Sequence, residues 1–184
     1  LYLMDFGGGS LRLFRDLPHV GGVADGEDIQ KLRKLTAMLL ETLDRRKKLL
    51  AAQGLVNIDA YREATGEQLP WIVLLLDHAA PAMEIYPEID GFLQTFVRDG
   101  AACGMYLLVS VGAVNARPYR ISQHVKAAVC LRMTDRGDYA QIVGKTNGLE
   151  PENLAGRGLV RNSPPLEFQT ALPASGAREI DRVN

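Results

Sequence analysis

A carboxylate followed directly by an imidazole, Asp77-His78, closes the fully apolar run Trp71-Ile-Val-Leu-Leu-Leu76. Six apolar residues ending in an acid predict a central parallel strand, buried on both faces. Such a strand delivers its carboxylate to the carboxyl edge of the sheet, where open α/β folds place their ligands. In nucleoside-triphosphate chemistry an acid so placed helps hold a magnesium ion. The residue after it is often a glutamate that orients the attacking water, and here it is His78. Imidazole accepts a proton near neutral pH, but it is a shorter group and needs different geometry. The favoured reading of His78 is a structural histidine, hydrogen-bonded at the sheet edge.

The remaining residues with chemical potential point the same way. Gly7-Gly8-Gly9 follows an apolar segment ending in Asp5-Phe6, but no lysine comes after it. A sharp turn, ordered by Asp5, is favoured over a phosphate cradle. Gly144-Lys145-Thr146 lacks the earlier glycine of a phosphate loop, since Tyr139 stands at that position. The basic run Arg45-Arg46-Lys47-Lys48 reads as a solvated helix face, offset by Glu41 and Asp44. Arg132, Arg157 and Arg161 are candidates for action across a subunit boundary, with no positional ground for choosing one. Arg136-Gly137-Asp138 is a chance tripeptide.

These residues must be positioned by a real core, and 184 residues are enough for one. The net charge of −1 gives no support for whole-chain attraction to nucleic acid or anionic lipid. No run approaches the roughly 20 apolar residues of a membrane helix. Cys103 and Cys130 sit in apolar contexts and read as buried, reduced thiols.

Along the chain, residues 1–6 predict a strand, Ser10 to Phe14 a helical turn, and Leu17 to Val23 a short strand between turns. Asp25-Gly26-Glu27-Asp28 opens a long helix, with Ile29, Leu32, Leu35, Leu39 and Leu43 at spacings of three and four. A shorter helix starts at Asn57 and breaks at Gly66. After the strand at 71–76, Pro81 to Tyr86 predicts a turn or short helix, Ile89 to Ala101 a helix and Met105 to Val111 a second continuously apolar strand. Ile121–Val125 and Tyr139–Val143 predict short helices, Ala127–Met133 a strand, and 156–160 with 166–172 a closing hairpin. Apolar strands alternating with helices imply an α/β fold with a largely parallel sheet flanked by helices. One domain is expected over 1–172, with a linker over 173–184. The chain opens directly on a strand without an initiator methionine, which suggests a piece of something larger.

Several phrases together resemble the motor domain of the FtsK/SpoIIIE family of P-loop ATPases. They are Tyr2-Leu-Met-Asp-Phe-Gly-Gly-Gly9, Leu43-Asp-Arg-Arg46, Asn57-Ile-Asp-Ala-Tyr61, Leu69-Pro-Trp-Ile-Val-Leu-Leu-Leu-Asp77, Phe96-Val-Arg-Asp-Gly100 through Gly104-Met-Tyr-Leu-Leu108, and Leu154-Ala-Gly-Arg-Gly158. Leu17-Pro-His-Val20 and Pro165-Leu-Glu-Phe-Gln169 look most like the tandem-ATPase EssC/EccC group of type VII secretion. The resemblance implies a RecA-like core lacking, in this chain, the Walker A strand and helix. It implies Asp77 as the magnesium ligand if magnesium binds, and Asp77 and His78 as the nucleotide-pocket residues if the pocket functions. ATP and magnesium are the implied ligands, bound weakly or not at all. The chain departs from the active pattern in three places: no phosphate loop, His78 for the glutamate, and Val111-Gly112 where a polar sensor should end the next strand. The expectation is a degenerate ATPase module with a regulatory or assembly role. Its implied partners are neighbouring ATPase domains of the same polypeptide, a secreted substrate protein and possible further copies of itself. The implied setting is the cytoplasmic side of a membrane-anchored bacterial protein. An active ATPase with displaced groups and a DNA translocase are the alternatives.

Overall fold

The computed structural model describes residues 1–171; the expected linker at 173–184 and Leu172 lie outside the described residues. Contacts divide the chain into two compact units, one spanning Leu1–His124 and the other beginning at Val125.

The first unit is built on four parallel strands, β1 (Tyr2–Asp5), β2 (Gly22–Asp25), β3 (Ile72–Asp77) and β4 (Met105–Val109). Their order is β2-β1-β3-β4, so β3 is an interior strand. The helices are α1 (Ile29–Ala52), α2 (Ile58–Thr65), α3 (Ala79–Ile85), α4 (Ile89–Asp99) and α5 (Tyr119–Ser122). Local chemistry sets their starts. The Asp28 side chain accepts from the Lys31 amide and caps α1, and Asn57 accepts from the Ala60 amide and caps α2. Gly66, at φ +73°, ends α2 in the left-handed conformation.

Leu32, Leu35, Leu39, Leu43 and Leu50 form the buried stripe of α1. They share a core with Ile89, Phe92, Leu93 and Phe96 of α4 and with Met4, Ala24, Leu74, Leu76 and Met105 from one face of the sheet. The opposite face is covered unevenly. Leu3 and Val23 are buried, Val73 and Leu75 are half-buried, and Tyr106 and Leu108 stand 41% and 58% exposed. The expectation that the apolar strand is buried on both faces is therefore corrected. Leu74 and Leu76 point into the core, whereas the alternate residues lie beside the edge strand β4, where that face is only partly covered among the described residues.

The second unit carries β5 (Val129–Leu131), α6 (Arg136–Val143), β6 (Arg157–Val160) and β7 (Leu166–Gln169), its strands antiparallel in the order β5-β6-β7. Cys130, Leu159, Tyr139, Ile142 and Val143 are among its buried residues. Arg161 braces it, donating to the carbonyls of Ile142 and Val125.

Several boundaries move. The segment Leu17–Val20 is a chain of turns, and the strand predicted there is β2, four residues long and ending at Asp25. Asp25 thus belongs to the sheet rather than to the start of α1. The predicted helix over 89–101 ends at Asp99 and gives way to a 3-10 turn over Ala101–Cys103, because Gly100 brings the chain against the Met105 carbonyl. Within the basic run, Arg46 is buried (6% exposed) and donates to the carbonyls of Cys103 and Pro70, each at 2.8 Å. Three of the four cations are solvated and one is an internal brace. Both cysteines are free and buried, as expected.

Candidate functional site at the carboxyl rim

Three of the four parallel strands end in aspartate, and the register aligns them: Asp5 pairs with Asp25 on one side and Asp77 on the other. A row of neighbouring carboxylates is electrostatically unfavourable unless each is compensated. Each is compensated differently.

Asp5 is buried, and it accepts three backbone N–H bonds: Gly7 and Gly9 on Oδ1 at 3.1 Å each, and Leu11 on Oδ2 at 2.8 Å. It orders the glycine turn, as its position predicted. Asp25 accepts the Glu27 amide at 3.1 Å and pairs with Arg12 at 3.0 Å. Arg12 also holds Glu27, and these acids keep its guanidinium pKa above the ordinary value.

Asp77 ends the interior strand β3 and faces Ser110. The Ser110 hydroxyl donates to Asp77 Oδ1 at 2.5 Å and accepts the His78 amide at 3.0 Å. His78 has φ +57°, a left-handed conformation uncommon outside glycine but enriched in histidine. That turn swings its imidazole back, leaving Nδ1 at 3.1 Å from Asp77 Oδ2. The glycine turn closes the cluster from the β1 side. A Cβ on Gly7 would lie 2.1 Å from Asp77 Oδ2 and 2.5 Å from His78 Nδ1, so any larger residue here must displace them.

Sequence reasoning brought Asp77, His78 and Asp5 to this rim and missed Asp25, Arg12 and Ser110. Asp25 was legible: Leu-Met-Asp, Val-Ala-Asp and Leu-Leu-Asp are the same strand ending three times. The absence of a polar group after the next strand is corrected. That strand stops at Val109, and Ser110 continues its register to meet Asp77. The cationic candidates are engaged within the second unit: Arg157 with Glu152 and Glu167, Arg161 with carbonyls and Arg132 with Asn153. Arg136 of the chance tripeptide pairs with Glu150.

Magnesium takes oxygen ligands in a near-octahedral array at about 2.0–2.1 Å, usually one or two carboxylates completed by phosphate and water. At this rim Asp77 Oδ1 already accepts from Ser110, the His78 ring and the Gly7 backbone crowd Oδ2, and Asp5 and Asp25 are committed elsewhere. Among the described residues no group of three or more His, Cys, Asp or Glu is arranged to hold a metal. The Lys145 sequence follows helix α6 rather than a parallel strand. The residues present do not by themselves fit a magnesium–nucleotide complex, and the chemistry they support is a network of hydrogen bonds.

A parallel sheet flanked by helices, with an acid at the carboxyl end of an interior strand, is the layout of an ATPase-type α/β domain. The chain belongs to the FtsK/SpoIIIE family, whose model matches residues 1–148. It is 28% identical over its whole length to the type VII secretion system protein EssC of Staphylococcus aureus strain MRSA252. It is 24% identical over 98% of its length to the ESX secretion system protein EccC of Geobacillus thermodenitrificans. The chain spans 13% and 12% of the lengths of these two relatives. Among solved structures it superposes on EssC ATPases 2 and 3 from Geobacillus thermodenitrificans with a TM-score of 0.85, at 24% identity, over 99% of this chain and 37% of that one. Thermomonospora curvata EccC ATPases 2 and 3, solved in complex with a signal sequence peptide, gives 0.84 at 27% identity over 99% and 34%. Among the described residues no helix is long and apolar enough to cross a membrane.

Proposed function

We propose that this chain is an ATPase-fold module of a type VII secretion motor that serves assembly and regulation rather than hydrolysis. One observation carries the reading: every carboxylate on the rim is already bound within the fold, leaving none beside Asp77 to activate a water. The whole-length likeness to EssC and EccC supports the secretion context. On this reading the module runs over residues 1–172, with 173–184 as a linker. Its partners are neighbouring ATPase modules of the same polypeptide, at the cytoplasmic side of a membrane-anchored protein. The signal-peptide complex of the Thermomonospora relative supports a substrate-receiving role as well. Nucleotide, where it is bound, acts as a structural ligand.

A second reading, an active motor in which Asp77 meets magnesium, is favoured by the interior position of β3 and the placement of its acid at the rim. Turnover separates the two. In the full-length protein, with the phosphate loops of its other modules inactivated, ATP hydrolysis is expected to stay below about 1 per second, the low end of ordinary enzymes. Hydrolysis at or above that rate, abolished by Asp77→Asn, overturns the assembly reading.

A further inference from the structure

We infer that Asp77 acts as a structural tie, clamping β3 to β4 through Ser110 and His78 in the absence of any divalent cation. The inference deepens the assembly reading and rests on it for its context, but its geometry stands alone. Ser110 is joined to β3 and the residues after it by four hydrogen bonds. Its amide donates to the Leu76 carbonyl and its own carbonyl accepts the Ala79 amide, each at 3.0 Å. Its hydroxyl accepts the His78 amide and donates to Asp77 Oδ1.

Asp77 also reaches the other neighbouring strand, its carbonyl accepting the Phe6 amide at 3.2 Å. One residue therefore joins the ends of three strands. The tie uses Asp77 Oδ1 for the hydroxyl, while His78 Nδ1 at 3.1 Å and the Gly7 backbone crowd Oδ2. The family pattern and these surroundings disagree: the acid of a metal site keeps an oxygen open to the ion, whereas Asp77 Oδ1 is tied to Ser110 and Oδ2 is crowded by His78 and Gly7. His78 fits the same account. A glutamate there would bring a second negative charge toward Oδ2, whereas imidazole brings none.

The test is thermal unfolding of the 184-residue chain with EDTA and with millimolar magnesium. With EDTA, Ser110→Ala and Asp77→Asn are each expected to lower Tm by about 5 °C, the scale of losing a charge-assisted bond in a domain of this size. The double variant is expected to lose less than the sum, because both changes weaken the same interaction. Ser110→Thr keeps the hydroxyl and is expected to restore much of the loss, which keeps the test decisive if Ser110→Ala does not fold. Magnesium is expected to leave the wild-type Tm unchanged. A magnesium-dependent rise in wild-type Tm that disappears in Asp77→Asn overturns the inference, as does a Ser110→Ala variant as stable as wild type. ATP turnover in the full-length protein without that magnesium shift would defeat the assembly reading and leave the tie standing.

Discussion

Gly7 occupies the tightest position on the rim, with the Asp77 carboxylate and the His78 ring both inside the volume a methyl group would take. Gly7→Ala is expected to cost about 1–3 kcal/mol, the usual range for overpacking a filled site, read as a lower denaturant midpoint. Gly91 provides the control. It lies inside α4 with open space where a Cβ would go, so Gly91→Ala is expected to stabilise by up to about 1 kcal/mol. Equal effects at the two positions would show that the rim is less closely packed than these distances indicate. At this scale the sequence was partly legible. Asp77 and His78 stood out because an apolar run ends on them, and Gly7 because three glycines follow a strand. Ser110 did not stand out, since it was read as part of the apolar strand expected over Met105 to Val111, and its partner emerges only once the strand beside it is known.

At the scale of elements, α1 is anchored by more than its leucine stripe. Near its carboxyl end Arg46 reaches under the sheet and satisfies two carbonyls, one just before β3 and one in the 3-10 turn before β4. Burial lowers the pKa of this guanidinium, but the shift begins from so high a value that the group stays charged. Arg46→Met preserves much of the side-chain volume and strips the donors from the buried Cys103 carbonyl and the part-buried Pro70 carbonyl, so a loss of about 2–4 kcal/mol is expected. Arg45→Met, on the solvated side of the same helix, is expected to stay within about 0.5 kcal/mol. Chemical denaturation of the two variants compares them directly. The basic run shows why helix-face assignments made from charge alone fail at single positions. Four consecutive residues span more than a full turn, so one of them must face inward, and the long arginine stem allows its charge to reach carbonyls rather than water.

For the whole molecule, acid sensitivity should be traceable to a charge cluster far from the rim. Asp99, at the end of α4, has its carboxyl pKa lowered to about 2, first by the hydrogen bond from Arg98 and then by that from Lys47 of α1. A carboxyl pKa depressed on folding contributes stability that is complete above its ordinary value of 3.8 and is lost as pH falls toward about 2. Asp99→Asn is therefore expected to lower Tm at pH 7, with the difference from wild type shrinking across that acid window. Both cationic partners are more than half exposed, so added salt should narrow the gap as well. A difference that is constant from neutral to acid pH would assign the effect to packing instead of charge.

The sequence by itself determined the α/β alternation, the helix caps at Asp28 and Asn57, and the arrival of Asp77 at the end of a strand. All of these depend on residues within a few positions of one another. The tertiary structure alone decided which partner each rim acid takes. Asp77 and Ser110 are 33 residues apart, and Asp5 lines up with Asp25 and Asp77 only once strand order and register are set. Hydrophobic periodicity records which way a side chain faces, while pairing across a sheet depends on neighbours that periodicity does not encode. That pairing is what turned an acid with the sequence context of a metal ligand into one tied to Ser110 by its own fold.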